Sequence, residues 1–220
     1  MRLLLLLLTL SLFYGCGSRL ALPVPDSFDP SQLNAIFDRN DALPVASVAS
    51  IAGVSPEKLK QFREIIGKDN TSNAVLYSWP NGEKRIITTQ DQKQLTTEAF
   101  SSLGIAFFRK TGKAAFQMQF ESADALQQQI DQLTKDKDTD PDLAIAEAKY
   151  LAGQAQIRQF NKMEKVGELS YWETPVQALH VYVSGYAFTI TTNLPTETSS
   201  RNKAVQLAGL IFESFQKSKK

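Results

Sequence analysis

Few side chains in this 220-residue chain are of a type that does chemistry. It has one cysteine, Cys16, and one histidine, His180. A single thiol and a single imidazole exclude a disulfide scaffold, a zinc finger and any multi-thiolate cluster. His180 could serve as a general base only with a nucleophile or a substrate proton in reach, and no partner motif accompanies it in the sequence. Carboxylates are numerous, and one group is spaced as cation ligands are. Asp136, Asp138 and Asp140 alternate, Asp142 follows, and Glu147 lies twelfth counting from Asp136. Ser55 and Lys58 stand three apart, as a nucleophile and its base could on one helical turn, and Lys110-Thr111-Gly112 follows later. Tyr77, Trp79, Tyr171 and Trp172 include both tryptophans and are of the type that lines a sugar or peptide groove; core packing is their alternative.

Each pattern has a reading that needs no chemistry. The acidic spacing resembles an EF-hand loop, in which oxygens at positions 1, 3, 5 and 12 surround calcium. Position 6 is Pro141, where that loop's sharp turn needs glycine, and proline fixes φ at about −65°. Pro141 reads equally as the first residue of a helix capped by Asp140, so a solvated helix–helix loop stands against a weak calcium site. Ser55-Pro56-Glu57-Lys58 and Lys110-Thr111-Gly112 fit the S-x-x-K and K-T-G fragments of serine penicillin-recognising enzymes. No S-D-N lies between them, and a serine followed by proline reads as a helix cap. There is no G-x-S-x-G, H-E-x-x-H, phosphate-binding glycine loop or dinucleotide fingerprint. No catalytic residue is assigned, and no cofactor is expected.

The N-terminus carries the most specific signal. Met1-Arg2 precedes an eleven-residue apolar run from Leu3 to Phe13, the length of a secretory h-region and well short of the roughly 20 residues a membrane-spanning helix needs. Phe13-Tyr14-Gly15-Cys16 then resembles the lipobox of bacterial lipoproteins, with a small residue directly before the cysteine. It departs from the usual pattern at Phe13, where leucine is commoner, and at Tyr14, where a small residue is commoner. The resemblance covers about the first 18 residues. It implies cleavage after Gly15, acylation of Cys16, and attachment to the cell membrane or outer membrane, facing the periplasm or exterior. Stable attachment takes two acyl chains or more, because one alone is marginal. Without Arg2 the mature chain holds 23 basic and 23 acidic residues, so the lipid rather than charge would hold it to the membrane. The full chain's net charge of +1 gives no reason to expect nucleic acid.

These residues need a body to position them. Residues 16–30, with Pro23, Pro25 and Pro30, read as an extended spacer reaching on the order of 40 Å. Residues 31–220 read as one α+β domain of antiparallel hairpins packed against several helices. A helix is expected from Pro30 through Phe37, a second over Val45 to Ala52 closed by Gly53, and a third from Ser55 through Leu59, Phe62 and Ile66. Ala74 to Pro80 and Glu83 to Thr89 flank Asn81-Gly82 as a hairpin, and Leu103 to Phe108 reads as a buried strand. Thr111 to Lys137 and Pro141 to Arg158 read as helices. Ser184-Gly185 closes a second hairpin that pairs Val183 with Tyr186, Val181 with Phe188 and Leu179 with Ile190. A helix from about Ser199 carries Ala204, Leu207, Ala208, Ile211, Phe212 and Phe215 on one face, which should meet that hairpin. Leu76-Tyr77-Ser78-Trp79 and Leu169-Ser170-Tyr171-Trp172 hint faintly at internal duplication. The sequence thus supports a lipid-anchored envelope protein of binding or scaffolding type, taking a protein partner or a small ligand. An envelope hydrolase with dispersed carboxylates and a calcium-stabilised binding domain are the alternatives.

Overall fold

The computed structural model describes Leu22 and residues 24–67, 70–120 and 160–216. Seven strands, β1 (Lys60–Glu64), β2 (Ala74–Thr88), β3 (Gln94–Lys110), β4 (Phe160–Met163), β5 (Leu169–Glu173), β6 (Ala178–Val183) and β7 (Tyr186–Asn193), form one sheet in the order β1-β2-β3-β7-β6-β5-β4. Every pairing is antiparallel. Two meanders therefore meet where β3 pairs with β7. The described helices are α1 (Ala35–Asp38), α2 (Val45–Ala52), α3 (Lys113–Phe120) and α4 (Glu197–Ser214). The fold is mixed α+β and dominated by sheet.

The β6–β7 hairpin follows the expected register residue for residue, with Val183 opposite Tyr186, Val181 opposite Phe188 and Leu179 opposite Ile190. Ser184 and Gly185 have φ of 46° and 85°, the paired positive values that a twisted two-residue turn requires. Leu179, Val181, Phe188 and Ile190 face inward beneath α4, where Ala204, Leu207, Ala208, Ile211 and Phe212 are buried in the same core. α4 begins two residues earlier than its apolar spacing indicates, because the Thr196 side chain accepts from the Ser199 N–H as a cap. Glu197 in its first turn accepts from the Trp172 indole at 3.0 Å and from Arg201 at 2.7 Å, and the Arg201 guanidinium lies 5.5 Å over the Trp172 ring. α2 ends at Gly53 (φ 77°), and Lys203 from α4 donates to the last-turn carbonyls of Ile51 and Ala52.

Three expectations are corrected. Ser55 opens only a single 3-10 turn, Pro56–Lys58, and the chain then enters β1. Leu59, Phe62 and Ile66 have helical spacing, yet only Leu59 is buried, while Phe62 and Ile66 are 54% and 68% exposed. Pairing with β2, which sets Phe62 opposite Leu76, satisfies this backbone and overrides the local pattern. Asn81-Gly82 does not close a hairpin. Between Pro80↔Phe100 and Lys84↔Glu98 the chain advances four residues on β2 against two on β3, so the positive φ of Gly82 serves a bulge. The reversal lies at Thr89 to Lys93, where Thr89 and Lys93 bond across the turn, and residues beyond the bulge form an exposed two-stranded arm. Leu103 to Phe108 is a strand as expected, within the longer β3, and it is buried except at Phe107, which is exposed.

The third correction concerns the spacer. From Leu22 onward it belongs to the domain. Leu22 bridges to Val166 and donates to the Lys165 carbonyl at 2.7 Å, and its side chain lies against Gly209 of α4. Phe28 is buried edge-on against Phe212, with centroids 5.1 Å apart, and bridges to Gln216. Pro30 begins a 3-10 turn capped by Asp29, so its missing N–H costs nothing there. Phe28→Ala should lower unfolding free energy in urea by about 3–5 kcal/mol. Phe62→Ala, at an exposed site, should stay within about 0.5 kcal/mol.

Candidate functional site

The sheet face turned away from α4 supplies the site, and an irregularity in β3 creates it. Ala106 pairs with Thr189, but the next pair is Arg109 with Ala187, three residues along β3 against two along β7. The extra residue is Phe107, held at φ 56°. Regular alternation from Ala106 would bury Arg109 and turn Phe108 outward. The bulge reverses that parity. Phe108 instead stacks on Tyr186 in the main core, with centroids 5.4 Å apart, and Arg109 shares the outer face with Ala187.

α3 follows β3 after Thr111-Gly112 and lies over that outer face. Phe116 and Phe120 pack with Leu169, Tyr171, Tyr182 and Ala187 into a second, smaller apolar cluster. His180 is inside this cover, its ring 4.6 Å from that of Phe120 and 6.2 Å from that of Phe160. Its Nε2 lies 3.0 Å from Glu173 Oε2 and its Nδ1 3.0 Å from Thr189 Oγ1. A carboxylate only accepts, so Nε2–H donates to Glu173 and Nδ1 accepts the Thr189 hydroxyl. Burial lowers the His180 pKa from its ordinary 6.5. The hydrogen bond and charge of Glu173 oppose that shift, and Arg109 adds to it. The contact with Glu173 is therefore a neutral-imidazole hydrogen bond near pH 7.

Hydroxyl, imidazole and carboxylate stand in the order that activates a nucleophile. Thr189 sits mid-strand between Ala106 and His180 and is 7% exposed. Beside the relay is a cavity of about 260 Å³, walled by Phe107, Arg109, Phe116, Gln119, Phe120, His180 and Thr189 among others. Arg109 donates to the Gln119 side-chain oxygen, a neutral partner. Such a site, with aromatic walls and convergent polar groups, is suited to holding a small molecule.

Of the residues singled out by sequence, His180 alone lies in this cavity. Tyr77, Trp79, Tyr171 and Trp172 are 0–4% exposed and do not line a common groove. Tyr77, Trp79 and Trp172 lie in the main core, Tyr171 in the smaller cluster on the opposite face. Burial pushes the Tyr77 phenol up to about 12. The two tryptophan tetrapeptides are thus not equivalent, since their tyrosines face opposite sides of the sheet. Ser55 precedes a 3-10 turn that Lys58 ends, and Lys110 ends β3. Cys16 and the acidic group Asp136, Asp138, Asp140 and Glu147 lie outside the described residues, as do the remainder of the helix expected from Thr111 and the one expected from Pro141. Among the described residues no cluster of three or more His, Cys, Asp or Glu side chains could hold a metal ion. Glu173 and Arg109 carried no sequence motif; the Phe107-Phe108 doublet, which breaks strand alternation, was the available signal. Comparison with protein families, curated proteins and solved structures finds no match.

Two outcomes follow from this geometry. A depressed His180 pKa means the unfolded chain binds the proton more readily. Stability should be full above about pH 6.5, fall as pH drops from there toward the depressed value, and then level off. His180→Gln should flatten this part of a urea-midpoint profile. At the bulge, Phe107→Gly should keep or raise the melting temperature by relieving the positive φ, whereas Phe108→Ala should cost about 3–5 kcal/mol.

Proposed function

We propose that this chain is a lipid-anchored cell-envelope protein that acts by binding rather than by catalysis, with the cavity beside His180 as its ligand site. The observation that carries the binding reading is the meeting of Arg109, Gln119, His180 and Thr189 at one aromatic-walled cavity. The buried mid-strand place of Thr189 favours recognition over nucleophilic attack. The anchor reading rests on the apolar run and Phe13-Tyr14-Gly15-Cys16. Its geometry is tighter than the sequence implies. With Leu22 pinned to the domain, six residue steps separate it from Cys16, a reach of about 20 Å at most. An acylated Cys16 would hold the domain close to the bilayer.

A scaffolding role is favoured by a separate feature. The β2–β3 arm exposes Ile86 and Leu95 at 66% and 51%, and Ile87 and Phe100 are exposed beside them. A two-stranded ribbon gains little stability alone, and apolar side chains on it suit an envelope protein partner. A photo-cross-linker at Ile86 in intact envelopes should then yield one dominant adduct, and a smear of adducts would count against it.

The anchor has a direct test. Cys16→Ser should release the protein from the membrane fraction and abolish incorporation of labelled fatty acid. Retained labelling would refute acylation at Cys16.

A further inference from the structure

We infer that the cavity beside His180 binds a small organic anion, a single flat ring bearing a carboxylate, through the Arg109 guanidinium. The inference rests on the reading of this cavity as a ligand site. Its first support is charge. Among the described wall residues Arg109 is the one side chain with a permanent charge, and Glu173 lies behind the imidazole rather than in the wall. Arg109 makes no described ion pair, and its partner, Gln119, is an uncharged amide. A guanidinium has five donors in a planar fork that matches a carboxylate, so most of that capacity remains to be met.

The second support is shape. Phe116 and Phe120 form the inner wall, and Phe107, 52% exposed, stands at the rim. Apolar faces of this kind favour a ligand with a ring over a bare inorganic ion. A volume of about 260 Å³ lies just below the usual range for ligand sites and suits a small ligand, of which a single ring with a carboxylate is the simplest. The third support is construction. The bulge at Phe107 holds a bulky residue at positive φ, and its structural effect is to bring Arg109 to this face. Strain of that kind gathers at functional sites.

The chain contains a single histidine, so selective ring labelling gives one unambiguous reporter in the cavity wall. The full chain, solubilised in mild detergent, would be titrated with benzoate, benzylamine and inorganic phosphate while His180 ring resonances are followed at constant pH. Benzoate should shift them saturably; benzylamine and phosphate should not. Arg109→Gln should weaken benzoate about tenfold or more, the loss of one charge-assisted contact. Gln119→Glu, an isosteric change on exposed helix surface that neutralises the guanidinium locally, should weaken it similarly. Tight binding of benzylamine, equal binding of phosphate, no benzoate shift, or an unchanged benzoate affinity in both variants would each overturn the inference. None of these results bears on acylation of Cys16, which the membrane fractionation decides separately.

Discussion

The pairing of β3 with β7 joins two meanders that would otherwise each end on an open edge, and its one inserted residue determines what each face of the sheet can hold. β3 runs directly into α3, and β7 runs through Leu194 and Pro195 into α4. The two helices leave adjacent strands and settle on opposite faces, α4 over the main core and α3 over the smaller cluster. The half of the sheet from β5 to β7 is consequently covered on both sides. An uninterrupted ladder would leave the β3 end out of step with those covers. Phe108 would then lose its place against Tyr186 and Phe37, and a guanidinium would enter the core. Burying an unpaired charge costs far more than one bulged residue does.

Double coverage also explains why His180 is bonded at both nitrogens. A strand face carrying His180, Tyr182 and Thr189 looks like a solvent face, and under water its polar atoms would need no protein partner. Once α3 covers it, each buried donor or acceptor must be met internally or cost about 1–3 kcal/mol. Thr189 meets one nitrogen from the neighbouring strand and Glu173 meets the other from β5 and its turn. The relay resembles catalytic machinery because the same requirement, a fixed tautomer with both nitrogens engaged, is met by the same residue types.

How much of this was legible in the sequence follows from the range of the interactions. The β6–β7 hairpin and α4 were readable because turn chemistry, alternation and helical spacing all act within a few residues and agree. The His180–Thr189 pairing came with that register. Glu173 did not, since its place depends on how β5 aligns with β6. Around Phe62 a half-exposed strand happens to carry apolar residues at helical spacing, and only the partner strand decides between them. Asn81-Gly82 does not distinguish a hairpin turn from a bulge, because both need positive φ, so the dipeptide marks the irregularity without naming it. Prolines at this spacing signal extension away from the domain, yet Pro30 opens a turn and Phe28 between them is a core residue.

The two ends of the proposed activity lie on opposite sides of the sheet. Leu22, where the N-terminal segment enters the domain, rests on Gly209 of α4 and on the β4–β5 connection, within reach of the main core. The cavity opens on the outer face, beneath α3 and beside Arg109. An acyl group on Cys16, tied within about 20 Å of Leu22, would draw the helical face toward the bilayer and turn the cavity away from it. A ligand would then arrive from the aqueous phase and not laterally from lipid. That arrangement fits an organic anion, which anionic headgroups repel and which a positively charged, aromatic-walled cavity can hold in water.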